Sequence, residues 1–227
     1  MKVSASKKVS NFFNKYKIIS YGRGEAIIRA SDNPQGISFL VKGYVRHYSI
    51  NRDGQEFTLN IFKPGSYFPV AWAIAQESNH YFYEAMTFVE IRRAPKKDVL
   101  LFFKQNPSVI YELTKRLLSG LSGLLVRMEY LLQGNAKQKV CATLYILSKR
   151  FGEKNGGKKI VIRLPITHQG IASLAGLSRE TTSLEMKKLE RDGIIIKENR
   201  FLVVNEPGKL KPKSLSYPKS NYLPHSY

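Results

Sequence analysis

THQGIASLAGLSRETTSLEMKKLERDG, residues 167–193, has the pattern of two short helices joined by a tight turn. Thr167 can cap the first helix, because its hydroxyl can accept a free backbone N–H of the first turn. Gly176 supplies a residue that adopts a positive φ at no steric cost, which suits the end of a helix. Ser178 is a natural N-cap for a second helix. The stretch therefore predicts a helix, a turn and a second helix.

The second helix of this pair has one apolar side and one polar side. Met186 and Leu189 lie three residues apart, and we expect them to face inward. The side that points away carries Arg179, Glu180, Ser183 and Lys187. A polar face at the start of the second helix of a basic protein is what a helix-turn-helix needs to enter the DNA major groove. An ordinary helical hairpin that binds nothing is the alternative at this point.

Length, composition and charge set the broad class of the protein. The 227 residues are enough for two modest domains, and a hydrophobic content of 43% indicates a globular chain. The formal net charge of +20 suits a polyanionic partner, although charge also serves solubility. Residues 138–205 carry 13 basic and 6 acidic side chains, which makes this C-terminal part the denser positive surface.

The sequence also indicates a cytoplasmic protein without a membrane partner. No apolar run approaches the roughly 20 residues of a membrane-spanning helix. The N-terminal residues 1–17 carry charge but lack the apolar core of a secretory signal. The single cysteine, Cys141, cannot form a disulfide or a cysteine-based metal site within one chain, so we expect no cofactor.

Residues 21–94 have the pattern of an antiparallel β-structure. Short apolar runs alternate with turn residues at a spacing typical of a sandwich or barrel. Asp53-Gly54 between two of these runs is a strong hairpin signal. The predicted strands lie within 26–28, 38–41, 44–50, 57–62 and 83–91.

Two helices are predicted after the strands, a short one at 96–104 and a long one at 108–133. The long helix carries an apolar stripe with a spacing of three or four residues, which favours pairing with a second copy of the chain over packing on its own domain. Gly120 and Gly123 would let two backbones approach closely. The residues predicted at this dimer interface are Ile110, Leu113, Leu117, Leu121, Leu124, Met128 and Leu131.

The remaining elements complete a winged helix. A helix at 137–151, a loop at 156–157 and a strand at 159–164 precede the two-helix unit, and a hairpin at 194–204 follows it. The predicted fold class is therefore α+β, with an N-terminal β-sandwich or barrel, a long central dimerisation helix and a C-terminal winged helix-turn-helix. The predicted parts are the N-terminal β-domain at 1–107, the dimerisation helix and hinge at 108–137, the winged helix at 138–205 and a flexible basic tail at 206–227.

This order of parts resembles the Crp/Fnr superfamily of bacterial transcription regulators. The resemblance implies that residues 1–107 form a double-stranded β-helix (jelly-roll) barrel, similar to a cyclic nucleotide-binding domain, that acts as a sensor. In the barrel the resemblance rests on YGRGE at 21–25, FLVKGYVR at 39–46, DGQE at 53–56 and KPG at 63–65. In the winged helix it rests on Ile171-Ala172 and on GLSRET at 176–181, which opens the second helix.

The resemblance implies a homodimer that binds a palindromic double-stranded DNA operator and meets RNA polymerase at promoters. Arg179 and Glu180 match the family positions that reach base edges, and Ser183 lies one turn further along, where some members also contact bases. Leu184 stands at a base-reading position that is often arginine, so the operator is expected to differ there. The residues expected at DNA phosphates are Thr167, His168, Gln169, Ser178, Thr181 and Lys187.

The barrel departs from the members that bind cyclic nucleotides. Pro69 and Val70 stand where the resemblance places the Gly and Glu of a phosphate cassette, and the arginine that follows is replaced near Asn79. We therefore expect no response to cyclic AMP, and the small-molecule effector is unknown. Aromatic residues that line either a ligand pocket or simply the barrel core are Phe68, Trp72, Tyr81 and Tyr83.

Three other functions are compared with a regulator of this kind. An enzyme is disfavoured, because His47 and His80 are the only histidines of the barrel region and no catalytic set is visible. A regulator of the same fold that needs no ligand is the first alternative. A basic protein that binds nucleic acid by charge alone is the second, and it predicts equal affinity for all sequences.

Overall fold

A computed structural model describes residues 4–154 and 159–211 of the chain. The chain divides into two compact units, Met1–Lys115 and Arg116–Tyr227. The predicted loop at 156–157 and most of the predicted tail, 212–227, lie outside the described residues. None of the helices in the described part of the chain is long and apolar enough to cross a membrane.

The first unit is built on two antiparallel sheets, as the alternation of strands and turns predicts. Its strands are β1 (Ile18–Tyr21), β2 (Ala26–Ile28), β3 (Ile37–Lys42), β4 (Val45–Ile50), β5 (Glu56–Phe62), β6 (Tyr67–Phe68), β7 (Phe82–Ala85) and β8 (Val89–Ala94). One sheet has the order β1-β8-β3-β6, and the other has the order β2-β7-β4-β5. A buried apolar cluster draws on both sheets, with Leu40 and Ile91 from the first and Val45 and Tyr83 from the second.

The hairpin between β4 and β5 forms where Asp53-Gly54 predicts it. The Asn51 side-chain oxygen accepts hydrogen bonds from the backbone N–H groups of Asp53, at 3.0 Å, and of Gln55, at 2.8 Å. Gly54 has a φ of +77°, which a residue without a Cβ adopts freely. Local side-chain and backbone chemistry therefore sets this turn.

Three helices accompany the sheets of the first unit: α1 (Ala5–Phe13), α2 (Val70–Ala75) and α3 (Lys96–Gln105). Phe13 of α1 is fully buried and stacks on Phe39 of β3 with their ring centroids 5.1 Å apart. The helix α2 was not predicted from the sequence. A second apolar cluster, which includes Phe13, Ala73 of α2 and Phe103 of α3, joins these helices to the sheet.

The long helix α4 (Pro107–Gln133) and the helix α5 (Ala136–Phe151) are separated by two residues. Asn135 is the N-cap of α5: its side chain accepts the backbone N–H of Gln138 at 3.0 Å, and the Gln138 side chain accepts the Asn135 N–H at 2.9 Å. This reciprocal pair satisfies two N–H groups that the first turn leaves free. Gly134 and Asn135, which lie within the predicted dimerisation helix and hinge at 108–137, therefore form a helix boundary.

The second unit contains the predicted winged helix. Its helices after α5 are α6 (His168–Ala175), α7 (Arg179–Arg191) and α8 (Pro207–Leu210), and its strands are β9 (Gly152–Lys154), β10 (Ile160–Ile162), β11 (Ile195–Glu198) and β12 (Phe201–Val204). The sheet has the order β11-β12-β10-β9. The hairpin of β11 and β12 is the wing predicted after the two-helix unit.

The structure corrects the sequence prediction at two places in this unit. The strand β9, which was not predicted, pairs antiparallel with β10. The start of the predicted flexible tail is instead the helix α8, which packs on α5 and whose Leu210 is fully buried. Apolar burial therefore continues beyond residue 205.

Candidate nucleic-acid interface and barrel interior

The two helices of the 167–193 stretch are capped by the residues that the sequence indicates. The Thr167 hydroxyl accepts the backbone N–H of Gly170 at 3.1 Å, and the Ser178 hydroxyl accepts that of Thr181 at 3.1 Å. Gly176 ends α6 with a φ of +60°. These contacts hold the start of α7 in a defined position, because caps satisfy the N–H groups that a first turn leaves free.

The apolar sides of α6 and α7 are buried in the second unit. Ile171 and Ala172 of α6 are fully buried, and so are Met186 and Leu189 of α7. The opposite side of α7 is therefore the one available to a partner.

The candidate base-reading residues lie on that available side. Arg179 and Glu180 are both exposed in the first turn of α7. Leu184 lies one turn further along and is 60% exposed. Ser183 differs, because it is half-buried and its Oγ lies 2.9 Å from Nδ1 of His168 on α6. Arginine can donate two hydrogen bonds to guanine, and glutamate can accept one from cytosine.

The residues predicted at DNA phosphates differ in whether they are exposed and in whether their polar groups already form hydrogen bonds within the protein. Gln169 and Lys187 are exposed. The Ser178 hydroxyl caps α7 and also donates to the Thr181 hydroxyl at 3.0 Å. The Thr167 hydroxyl already accepts a hydrogen bond as the N-cap of α6, so part of its capacity to accept hydrogen bonds is used. The first turn of α7 also lies at the positive end of the helix dipole, which favours an anion.

Glu185 of α7 is a buried acidic residue. It is 9% exposed, and its Oε1 accepts a hydrogen bond from Nζ of Lys188 at 2.7 Å. The ion pair lets a carboxylate take a nearly buried position, because an unpaired charge there would be costly. Glu185 is thus part of the packing of α7.

Arg127 of α4 is a residue that the sequence prediction missed. Its Nε and Nη2 donate to the backbone carbonyl of Leu174 in the last turn of α6, at 3.1 and 2.6 Å. Desolvation, followed by repulsion from Arg150, lowers the pKa of Arg127 to about 10, so the guanidinium stays charged at neutral pH. A cation at the carbonyl end of a helix is favourable. The contact ties α4 to α6.

A stripe of apolar side chains on α4 is exposed. Leu117 is 58% exposed, and Leu121, Leu124 and Met128 are also exposed along the same line. Gly120 and Gly123 have no other atoms near the position of an added Cβ. Exposed side chains that widen the stripe are Leu118, Leu125 and Leu132. A continuous apolar surface of this kind marks an interaction site.

The structure removes Leu113 from the predicted dimer interface. Leu113 is 7% exposed and packs with Val109 in the cluster that contains Phe13 and Phe103. Ile110 is partly buried against the same cluster. The heptad-like spacing runs through both regions, but the first two members of the stripe stabilise the first unit.

The aromatic residues of the predicted pocket belong to two different clusters. The Phe68 and Tyr83 rings stack with centroids 5.1 Å apart in the cluster shared by both sheets. Tyr81 reaches the same region through His47, whose ring lies 4.8 Å from it. Trp72 packs instead on the helix-side cluster, with Nζ of Lys96 4.7 Å from its ring. Trp72 therefore packs on a different apolar cluster from the other three residues, and a ligand pocket lined by all four stays a prediction.

His47, and not Trp72, packs with Tyr81 and Tyr83. Its ring stacks on Tyr83 at 4.6 Å between centroids and also contacts Phe62 at 6.1 Å. Its Nε2 is buried and has no hydrogen-bond partner among the described residues. Desolvation lowers the pKa of His47 to about 4, so the ring is neutral at neutral pH. The described residues contain no group of three or more side chains suited to holding a metal ion.

Two family models match the chain, one on each side of the long helix. The cyclic nucleotide-binding domain matches residues 18–106, and the Crp-like helix-turn-helix domain matches residues 138–212. Among curated proteins, the global nitrogen regulator of Nostoc sp. is 26% identical over 220 residues, covering 91% of this chain and 96% of that protein.

The chain belongs to the Crp/Fnr superfamily of transcription regulators. Solved structures share its fold. A CooA mutant from Carboxydothermus hydrogenoformans superposes with a TM-score of 0.74 at 19% identity, over 92% of this chain and 95% of that one. FixK2 from Bradyrhizobium japonicum gives a TM-score of 0.72 at 21% identity, over 86% and 95% of the two chains.

In this Crp/Fnr chain, the segment that corresponds to the phosphate cassette contributes to packing. Phe68 is buried, Pro69 precedes α2, and Val70 is the first residue of that helix. Asn79 lies near the expected position of the arginine, and its Nδ2 donates to the carbonyls of Arg29 at 2.8 Å and of Tyr81 at 2.9 Å. Asn79 therefore closes a loop of the barrel with its amide group.

Proposed function

We propose that this protein is a homodimeric transcription regulator that reads a two-fold symmetric operator and does not respond to cyclic AMP. The exposure of Arg179 and Glu180 side by side, at the capped start of a helix whose other side is buried, carries the proposal. A donor fork and a carboxylate in adjacent positions can tell one base pair from another, which charge alone cannot do. The regulator acts in the cytoplasm, where it meets RNA polymerase at promoters.

The exposed stripe of α4 supports the homodimer. Leu117, Leu121, Leu124 and Met128 would be buried if the same stripe of a second copy packed against them, and each buried apolar side chain contributes stability. A dimer with a two-fold axis presents two copies of α7 to half-sites about one helical turn apart. The interface proposed here begins at Leu117.

The character of the barrel interior supports the lack of response to cyclic AMP. A cyclic nucleotide carries a phosphate charge, which needs a cation or several hydrogen-bond donors once it is removed from water. The side chains that surround His47 in the described structure are aromatic, and His47 itself is neutral at neutral pH. Arg46, on the neighbouring position of β4, is paired with Glu56 and Glu84.

The two alternatives make different predictions about DNA. A regulator that needs no effector selects an operator by itself, whereas a ligand-dependent one selects it only after the effector is added. A basic protein that binds by charge alone, which the formal charge of +20 favours, binds all duplexes with similar affinity and a steep dependence on salt.

Selection of bound duplexes from a random pool tests the proposal. Purified full-length protein is used without added ligand at about 0.15 M salt. Enrichment of an inverted repeat is the expected result. Binding without enrichment, both with and without cell extract, would overturn sequence-specific reading and leave binding by charge alone.

A further inference from the structure

A hydrogen bond joins the first residue of α6 to the base-facing side of α7. Nδ1 of His168 lies 2.9 Å from Oγ of Ser183, and both side chains are half-buried. The two residues are 15 positions apart in the chain, so the turn at Gly176 brings them together. His168 on α6 therefore fixes the position of the Ser183 side chain. Ser183 itself lies on α7 one turn beyond Arg179 and Glu180.

The hydroxyl of Ser183 has one proton, and the direction of that proton decides which base it can read. If Ser183 donates to Nδ1, its lone pairs remain available and it accepts hydrogen bonds from DNA. If Nδ1 carries a proton and donates to Oγ, the Ser183 proton is free to point towards DNA. A serine without such a partner rotates and tolerates either kind of base edge.

We infer that His168 sets the base preference of Ser183 by accepting its hydroxyl proton, so that Ser183 acts on DNA as an acceptor only. The inference rests on the proposed function, because it needs α7 to lie against base edges. Its chemistry follows from the place of His168 at the N-terminus of α6, where a DNA phosphate is favoured. A phosphate oxygen only accepts, so Nε2 must carry the proton that faces it. When Nε2 carries the single proton of the ring, Nδ1 is the acceptor for Ser183.

This arrangement selects bases by their hydrogen-bond donors. In the major groove adenine presents its N6 amino group and cytosine its N4 amino group, whereas guanine and thymine present only acceptors at the corresponding edges. Ser183 therefore favours adenine or cytosine at the base that it contacts. A single hydrogen bond of this kind changes the affinity by about three- to tenfold.

Four single variants and one double variant test the inference on the operator found by selection. Ser183→Ala identifies the base pair that Ser183 reads, because the preference at that pair disappears. His168→Phe keeps a planar ring but removes the acceptor, and His168→Asn places an oxygen near the former Nδ1. Gln169→Ala is the matched control, since it alters a neighbouring side chain on α6 that does not contact Ser183. Affinities are measured for all four bases at the identified pair.

The expected result has four parts. The wild type prefers adenine or cytosine by about three- to tenfold. His168→Phe lowers this preference to less than about twofold, while His168→Asn retains it. His168→Phe combined with Ser183→Ala has the same preference as Ser183→Ala alone. Gln169→Ala weakens binding to all four duplexes equally.

Three results would overturn the inference while leaving the proposed function intact. The first is an unchanged base preference in His168→Phe. The second is a wild-type preference for guanine or thymine. The third is that Ser183→Ala leaves the base preference unchanged at every base pair of the operator. Failure of the wild type to enrich any operator, with or without extract, would instead overturn both.

Discussion

Arg127 on α4 donates two hydrogen bonds to the main-chain carbonyl of Leu174, in the last turn of α6. The guanidinium is largely removed from water, and the carbonyl is one of the four that a helix end leaves without an intrahelical partner. One side chain thus satisfies the end of the helix that precedes α7 and connects it to the long helix.

Replacement of Arg127 should destabilise the second unit. We expect Arg127→Met to lower the free energy of unfolding by about 1–3 kcal/mol, because it leaves the Leu174 carbonyl buried without these donors. Arg127→Lys should lose less, since an ammonium can still donate to the carbonyl. Urea unfolding followed by circular dichroism measures both. Equal stability of the wild type and Arg127→Met would show that water replaces the guanidinium.

Arg179 should contribute to the choice of sequence as well as to affinity. Arg179→Ala should weaken operator binding by about 1–3 kcal/mol and relax the selection at one base pair, because a bidentate contact to guanine is lost. Lys187→Ala is the control, since it should weaken binding to operator and random duplexes alike. Fluorescence anisotropy on both duplexes separates the effects. An equal loss on both duplexes for Arg179→Ala would assign it to phosphate.

A charge in the exposed stripe of α4 should separate the subunits. Leu124→Asp should sediment as a monomer, since the dimer would have to bury an unpaired carboxylate. Ser119→Asp introduces the same charge about half a turn away from the stripe and should remain dimeric. Analytical ultracentrifugation distinguishes the two. Dimeric Leu124→Asp would place the interface elsewhere.

His47 should make the protein less stable in mild acid. The pKa of His47 is about 4 in the folded protein and 6.5 in its ordinary state, so below pH 6.5 the unfolded chain binds a proton that the folded protein excludes. The stabilisation is complete above pH 6.5 and is lost as the pH falls towards 4. It amounts to up to about 3 kcal/mol at 1.4 kcal/mol for each pH unit.

The measurement for His47 is a difference between two proteins. Urea unfolding of the wild type and of His47→Phe is compared from pH 7 to pH 4, because other titrating groups cancel in the difference. We expect the variant to gain stability relative to the wild type as the pH falls. A difference that does not change with pH would contradict the burial of a neutral imidazole.

Cyclic AMP should leave the protein unchanged. A ligand at a hundred times its dissociation constant adds about 2.7 kcal/mol to stability, which shifts the melting temperature by several degrees. We expect no shift at about 1 mM cyclic AMP, because the aromatic group around His47 offers the phosphate no cation. A clear rise in melting temperature would show that the nucleotide binds.

Much of the fold could be predicted because its signals act over a few residues. The caps at Thr167 and Ser178 and the turns at Gly54 and Gly176 work through hydrogen bonds and φ values within about four positions of the chain. Such interactions are written locally in the sequence. The helix α2 was missed because it is short and lies in a segment with no cap or turn signal that sets it apart.

The candidate sites were harder to predict because they depend on distant contacts. Leu113 and Leu117 occupy equivalent positions of one apolar stripe, and only the packing of the first unit distinguishes the buried residue from the exposed one. Trp72 and Phe68 are four residues apart but enter different clusters. Periodicity identifies an apolar face without saying which partner covers it.

The sequence by itself determined the three main parts of the fold and their order, the capped helix-turn-helix and the polar side of α7 that begins with Arg179 and Glu180. The tertiary structure alone decided that His168 meets Ser183, that Arg127 meets Leu174 and that His47 lies among aromatic rings. The physical reason is the range of the interactions. Caps, turns and helical periodicity act between neighbours in the chain, whereas these three contacts form only after separate elements have packed together.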